Sequence, residues 1–210
     1  MFSLFVVAFA EAQTDTYKNV YSEPAWAERD GWQKPGEIIR KMKIDSTSAV
    51  ADIGCNEGYL SFKLARISKI VYAVDVDQLK LKMLNFYVEK RKVSNINTVL
   101  GDYDDPKLPV NQLDAVVILD SYHEMDEHDE ILGHVLAALK KGGRLVICEP
   151  IADSRRNLAR ADQEKKHELG MKFALEDLSK AGFTVVEKID PFVDRVKVKG
   201  DKMWIVVAIK

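Results

Sequence analysis

From residue 48 onward, short apolar runs rich in β-branched residues alternate with longer stretches of helical periodicity. This alternation restricts the fold more than any other feature, because it is typical of repeated βα units built around a parallel sheet. A helix between two strands carries the chain back, so that the strands run parallel. The pattern predicts strands at 49–53, 70–74, 96–100, 115–119 and 144–148, and helices at 59–66, 79–90 and 131–140.

The C-terminal part of the chain departs from this alternation. A helix predicted at 164–181 is ended by Gly182, and strands at 183–189 and 203–209 follow with no helical pattern between them. Two strands joined without a crossover helix pair antiparallel. We therefore predict an α/β fold with a doubly wound, mostly parallel seven-stranded sheet that ends in a C-terminal antiparallel hairpin.

Charge and cysteine content limit the classes of partner. The 210 residues include 31 Lys and Arg against 33 Asp and Glu, a net charge of -2, so we expect no nucleic acid partner. Cys55 and Cys148 lie in or at the end of apolar runs, which indicates buried thiols. We expect no metal site, because no spacing typical of metal ligands surrounds the histidines, which are His123, His128, His134 and His167.

The N-terminus contains an apolar run at residues 4–10 that ends in Ala-Phe-Ala. This run is typical of a signal peptide, which we place at 1–12, and it predicts export to the periplasm or the medium. An apolar arm that packs on a cytoplasmic protein is the alternative. The run is too short to span a bilayer, so no membrane span is expected. We assign 13–47 to an N-terminal helical cap and 48–210 to the main domain.

A glycine-containing loop, Asp-Ile-Gly-Cys-Asn-Glu-Gly at residues 52–58, follows the first predicted strand. A strand that turns tightly into a helix brings a ligand against the backbone, which requires residues that tolerate positive φ. Gly54 and Gly58 meet this requirement, and Asn56 readily adopts the left-handed conformation. The segment resembles the [DE]-x-G-x-G-x-G loop of class I S-adenosylmethionine-dependent methyltransferases, with Asn56 in place of the middle glycine.

The resemblance implies that the cofactor is S-adenosylmethionine and that the strand ends bind it. Asp52 would accept a hydrogen bond from the loop or from the amino acid part of the cofactor. Asp75, followed by Val76, would accept both ribose hydroxyls. Asp102, followed by Tyr103, would bind the adenine amino group, although Gly-Asp after a strand is also ordinary turn chemistry.

A carboxylate after the second strand also occurs in nicotinamide-dependent oxidoreductases, which are the competing class of adenosine-binding enzyme. Their G-x-G-x-x-G fingerprint, counted from Gly54, requires glycines where Asn56 and Tyr59 stand. Their fold also continues with a parallel strand where this chain predicts a hairpin. Both observations favour the methyltransferase resemblance.

The fourth predicted strand ends in Asp-Ser-Tyr-His-Glu-Met at residues 120–125. Ligands bind at the carboxyl ends of such strands. The segment resembles the one in small-molecule methyltransferases in which a Tyr/Phe-His pair lines the methyl-transfer site. Asp120 is a further candidate cofactor contact, and His123 is either a general base or a residue that orients the loop.

After the fifth strand, the cluster Arg155, Arg156 and Arg160 has two interpretations: a clamp for an anionic substrate or an exposed salt-bridged face. The resemblance as a whole covers roughly residues 33–210. It implies S-adenosylmethionine-dependent methyl transfer to a small-molecule acceptor. The alternative is a non-catalytic module that binds or senses the cofactor.

Overall fold

The computed structural model describes residues 23–210, with side chains described from Ala25 onward. The predicted signal peptide and the first part of the predicted cap lie outside the described residues and stay predictions. Within 23–210, no helix is long and apolar enough to cross a membrane.

The described residues form one seven-stranded sheet in the order β3-β2-β1-β4-β5-β7-β6. The first five strands run parallel, whereas β7 lies antiparallel between β5 and β6. The predicted mostly parallel sheet with a terminal hairpin is therefore confirmed. The strand bounds are β1 Ala49–Ile53, β2 Ile70–Asp75, β3 Ile96–Leu100, β4 Leu113–Leu119, β5 Leu139–Ile151, β6 Thr184–Asp194 and β7 Lys202–Ile209.

Helices cover both faces of the sheet. Their bounds are α1 Glu23–Gln33, α2 Pro35–Met42, α3 Tyr59–Ala65, α4 Gln78–Lys90, α5 His128–Ala138, α6 Arg160–Glu164, α7 Met171–Lys180 and α8 Val196–Lys199. Helices α1 to α4 pack on one face, and α5 and α7 pack on the other. Because the central strands are covered on both sides, their residues are apolar without alternation, as in the fully buried β4 interior.

Strand β5 begins at Leu139, five residues before the start predicted from the sequence. Helix α5 ends at Ala138 instead of residue 140, because Leu139 already pairs with Leu113 of β4. Gly142 and Gly143 therefore lie within β5 and do not form a turn between helix and strand. The hairpin connector also contains the short helix α8, where no helix was predicted.

The predicted helix at 164–181 is wrong in a way that matters for the site. Glu164 is the last residue of α6 and α7 begins only at Met171, so residues 165–170, which we call the 165–170 break, are not helical. The backbone NH of Leu169 donates to Pro150 O at 3.0 Å. The Glu168 carboxylate accepts from the backbone NH of Ala152 at 3.0 Å and from Arg155. These tertiary bonds outweigh the local helical pattern.

We predict that Trp204→Phe destabilises the chain, because it removes a hydrogen bond between β7 and the 165–170 break. The Trp204 side chain is fully buried in β7, and its indole NH donates to Leu169 O at 2.6 Å. Phenylalanine leaves that carbonyl without this donor, which costs about 1–3 kcal/mol in the free energy of unfolding. Urea denaturation measures the loss. Trp32→Phe, at a partly exposed position, is the matched control; equal losses in both variants contradict the prediction.

Candidate active site

The loop after β1 has three residues with positive φ. They are Gly54 at 71°, Asn56 at 49° and Gly58 at 86°. The left-handed conformation expected for Asn56 is confirmed. The backbone NH groups of Gly54 and Cys55 both donate to Val74 O, at 2.9 and 3.0 Å. These bonds tie the loop to β2 and fix the edge against which a ligand would lie.

Gly54 also permits a close approach between the loop and the end of β4. A Cβ atom at this position would lie 2.4 Å from Ser121 Oγ and 2.5 Å from Ser121 Cβ. The Ser121 hydroxyl in turn donates to Ile53 O at 3.1 Å. No side chain fits between the two segments, so Gly54 is required by packing as well as by its backbone conformation.

A first cavity of about 340 Å³ opens at the carboxyl ends of the parallel strands. Its walls include most of the predicted cofactor residues: Gly54, Asn56, Asp75, Val76, Asp102, Tyr103 and Asp120. Gly58 lies instead beneath the loop, where an added Cβ would lie 2.4 Å from Leu84 Cδ1. The structure thus brings together residues from four strand ends that are distant in sequence.

The Asp75 carboxylate is held in place by the backbone. It accepts from the NH of Asn56 at 2.8 Å and from the NH of Asp77 at 2.9 Å. Asp77 itself caps α4, as the sequence predicted. Each carboxylate oxygen can accept more than one hydrogen bond, so Asp75 keeps acceptor capacity for a ligand in the cavity. Asp102, which follows the neighbouring strand β3, forms an ion pair with Lys107 at 2.8 Å.

A second cavity of about 240 Å³ adjoins the first and shares Gly54, Asn56 and Asp120 with it. Charges of both signs line it. Arg29 of α1 and Lys199 of α8 supply cations, and Asp52 supplies a carboxylate. Such a lining suits a zwitterionic group better than a neutral or singly charged one.

Asp52 is the most buried carboxylate in this second cavity. Burial raises its pKa to about 6, against the opposing effect of the hydrogen bond that Ser61 Oγ donates at 2.6 Å. The group is therefore mostly ionised at neutral pH. Because Ser61 and the charge of Arg29 offset the cost of burying this carboxylate only in part, a cationic ligand would stabilise it further.

Asp120 is positioned by an arginine that the sequence did not reveal. Arg195, which is buried between β6 and α8, lies 3.2 Å from Asp120 and 2.5 Å from Asp201. Its guanidinium also lies 5.3 Å from the ring centroid of Trp32. No local pattern indicated this contact, since 75 residues separate Arg195 from Asp120.

His123 lies behind the cavity walls rather than in them. It is buried, and its Nδ1 is 2.5 Å from Glu149 Oε2. Burial lowers the pKa of His123, but the hydrogen bond and charge of Glu149, with the charges of Asp120 and Glu124, outweigh burial and raise the pKa overall. The general-base role of His123 stays a prediction, and its observed contacts are those of a residue that orients its neighbours.

Glu149 is the second site residue that sequence reasoning missed. Its side chain is fully buried, and it accepts from the backbone NH groups of Ser121 at 2.7 Å and Tyr122 at 2.9 Å as well as from His123. A single carboxylate thus holds the turn that follows β4. The available signal was one carboxylate directly after the apolar run at residues 145–148 of β5.

The arginine cluster after β5 forms a salt-bridged surface. Arg155 pairs with Glu168, Arg156 with Asp190 at 2.6 Å, and Arg160 with Asp177 at 2.8 Å. Of the two interpretations, the structure therefore supports the salt-bridged face.

The cavities fit the cofactor that the resemblance implied. S-adenosylmethionine is elongated, with adenosine at one end and a zwitterionic amino acid at the other. The first cavity offers Asp75 and Asp102, and the second offers the mixed charges around Asp52 and Arg29. The two cavities share Gly54, Asn56 and Asp120. The residues present thus match both ends of the molecule.

Comparison with known proteins agrees with this geometry. The family "Methyltransferase domain" matches residues 51–147, which run from β1 to β5. Residues 51–147 therefore carry a methyltransferase domain. The matched residues include the glycine loop, Asp75, Asp102 and Asp120. Helices α1 and α2 and the terminal hairpin lie outside the match.

Individual similarities are more distant. The mitochondrial ubiquinone biosynthesis O-methyltransferase of Schizosaccharomyces pombe is 26% identical over 113 residues, which are 53% of this chain and 41% of that protein. The chain thus spans less than half the length of this curated relative. A methyltransferase structure from Aquifex aeolicus superposes with a TM-score of 0.72 at 18% identity, covering 86% of this chain and 92% of that one.

A second solved structure shares the fold under a different activity. The [4+2]-cyclase SpnF superposes with a TM-score of 0.71 at 19% identity, over 85% of this chain and 80% of that one. At these identities the superpositions show the fold alone. The methyltransferase domain is therefore assigned by the family match, and its reaction requires a separate argument.

We predict that Gly54→Ala is more damaging than Gly142→Ala. Both glycines have similar φ, 71° and 77°, so the backbone strain is matched. Only at Gly54 does the new Cβ meet Ser121, whereas nothing lies within 4 Å at Gly142. The overpacking adds about 1–3 kcal/mol to the loss in the free energy of unfolding. Chemical denaturation of the two variants tests this, and equal losses would mean that the close approach is absent.

Proposed function

We propose that this chain transfers the methyl group of S-adenosylmethionine to a small-molecule acceptor. One observation carries the proposal: two cavities meet at Gly54, Asn56 and Asp120, and their linings differ in the way the two ends of the cofactor differ. The first is lined by acceptors for hydroxyl and amino groups. The second combines carboxylates with an arginine and a lysine.

Each end of the cofactor has candidate partners. Asp75 accepts from the ribose hydroxyls, and Asp102 accepts from the adenine amino group. In the second cavity the Asp52 carboxylate pairs with the ammonium group, and Arg29 pairs with the carboxylate. This arrangement places the middle of the cofactor beside Gly54, at the junction with the end of β4.

The bound cofactor supplies an electrophilic methyl group on a sulfonium. The chain's contribution is to hold an acceptor in line with that methyl group and to exclude water, which accounts for much of the rate of such reactions. Ser121, Glu124 and Met125 line the first cavity next to the junction and would contact the acceptor. We retain as a hypothesis that His123 assists proton removal; it acts through Glu124, whose Oε1 lies 3.2 Å from His123 Nε2.

Two observations support a small acceptor. The net charge of -2 gives no overall field for nucleic acid. The S. pombe relative is named as an O-methyltransferase of ubiquinone biosynthesis, and an acceptor oxygen on a small molecule is the proposal for this chain too. A non-catalytic cofactor-binding module is the alternative, because the candidate base His123 lies in the wall of neither cavity.

We predict that Asp75→Ala weakens binding of S-adenosylmethionine and S-adenosylhomocysteine about 10- to 100-fold, because two hydrogen bonds to a charged acceptor are lost. Isothermal titration calorimetry measures both affinities. Asp104→Ala is the matched control, since Asp104 is an exposed acid nearby that is not in the wall of the first cavity. Equal affinity in wild type and Asp75→Ala would contradict the proposed site.

Methyl transfer itself is tested with methyl-labelled S-adenosylmethionine and a panel of small phenols, catechols and carboxylic acids. The proposal expects labelled product together with S-adenosylhomocysteine for at least one acceptor class, and loss of both in Asp75→Ala at low cofactor concentration. Tight cofactor binding with no transfer to any acceptor class would support the non-catalytic alternative.

A further inference from the structure

His123, Glu124 and His167 form a cluster that cofactor binding does not use. One ligand atom from each lies within 4.8 Å of the other two. His123 Nε2 is 3.2 Å from Glu124 Oε1, and His167 Nδ1 is 2.5 Å from the same oxygen. We propose that these three side chains bind a divalent transition-metal ion, for which Zn²⁺ is the best-suited probe.

The orientation of the His123 ring favours this role. Its Nδ1 is 2.5 Å from the buried carboxylate of Glu149, which accepts its proton. The other ring nitrogen, Nε2, faces Glu124 Oε1 at 3.2 Å, so either a proton or a metal ion can lie between these two atoms. A carboxylate that fixes the tautomer of a ligating histidine is the usual second-shell arrangement around zinc.

His167 is presented by a rigid backbone. It has φ of 56°, a left-handed conformation that is strained for a residue with a side chain. The neighbouring residues hold it there: Glu168 binds Arg155, Leu169 NH binds Pro150 O, and Gly170 NH binds Gln163 Oε1 at 2.7 Å. The 165–170 break therefore aims His167 at Glu124 before any ion binds, which reduces the entropy cost of assembling the site.

The ligand set determines the class of ion. Two imidazole nitrogens and one carboxylate oxygen are the protein ligands of many zinc sites that keep an open position, and the same set suits other first-row divalent ions. Ligand atoms around tetrahedral zinc lie about 3.3 Å apart, as bond lengths of about 2.0–2.1 Å require. Side-chain movements of about an ångström bring the cluster to this geometry, and both Glu124 and His167 are exposed enough to move.

The site also adjoins the proposed acceptor position. Glu124 belongs both to the cluster and to the wall of the first cavity. An ion bound there keeps coordination positions for water or for an oxygen atom of a molecule in that cavity. Sequence spacing gave no indication of this, because His123 and His167 lie on either side of β5 and α6.

Calorimetric titration of the untagged full-length chain with Zn²⁺ tests the proposal. We expect saturable binding of one ion per chain, weakened by more than about 10-fold in His167→Ala, since loss of a ligand costs at least as much as loss of its outer partner. His134→Ala is the matched control, because His134 is another exposed histidine beside a carboxylate, Asp105, but outside the cluster. Its affinity should equal that of wild type.

Glu124→Gln provides a second variant that keeps the shape of the side chain and removes its charge. It should weaken Zn²⁺ binding as well, and Zn²⁺ should raise the melting temperature of wild type and His134→Ala but not of His167→Ala or Glu124→Gln. No saturable Zn²⁺ binding, or equal affinity in wild type and His167→Ala, overturns the proposal. These readouts require neither S-adenosylmethionine nor an acceptor.

Discussion

The packing of Gly54 against Ser121 is the contact on which the proposed site depends. It brings the loop after β1 to the turn after β4 with no space for a Cβ between them. Glu149 holds the β4 side of this contact by accepting the backbone NH groups of Ser121 and Tyr122. Without that carboxylate, buried NH groups would lose their acceptor, at a cost of about 1–3 kcal/mol each. The two cavities meet at this contact because the strand ends are fixed here.

Buried charges around the contact are paired in a way that leaves some of them available to a ligand. Arg195 is neutralised by Asp201 and Asp120, so it holds Asp120 at the junction of the cavities. Burial raises the pKa of Asp52, and the Ser61 hydroxyl and the charge of Arg29 oppose this rise without outweighing it. Arg195 and its two carboxylates therefore form a structural ion-pair cluster, whereas a bound cation would stabilise the ionised form of Asp52. Because these charges are already oriented before a ligand binds, binding does not require the reorganisation that water molecules would undergo around the same ligand.

The fold could be predicted from the sequence, and so could several residues that line the first cavity, because their signals are local. The glycine loop, Asn56 and Asp75 are each defined by neighbours within one strand-turn-helix unit, and the strand pattern specified the hairpin. The α6 to α7 segment could not be predicted, since its helical periodicity is overridden by bonds from residues 168–170 to β5, the loop after β5 and Gln163.

Arg195, Glu149 and His167 were missed for a related reason. Each acts on a residue that is more than twenty positions away, and composition does not reveal which buried charges meet. The arginine cluster shows the same limit: its chemistry allowed an anion clamp, and only the positions of Glu168, Asp177 and Asp190 show that it is a salt-bridged face.

The proposed function requires one elongated ligand to occupy both cavities, which meet at Gly54, Asn56 and Asp120. A crystal structure of the chain with S-adenosylhomocysteine would show whether it does. We expect adenosine in the first cavity with the ribose hydroxyls on Asp75, and the amino acid group between Asp52 and Arg29 in the second. A ligand confined to one cavity, or bound with its amino acid group at Asp75, would contradict it.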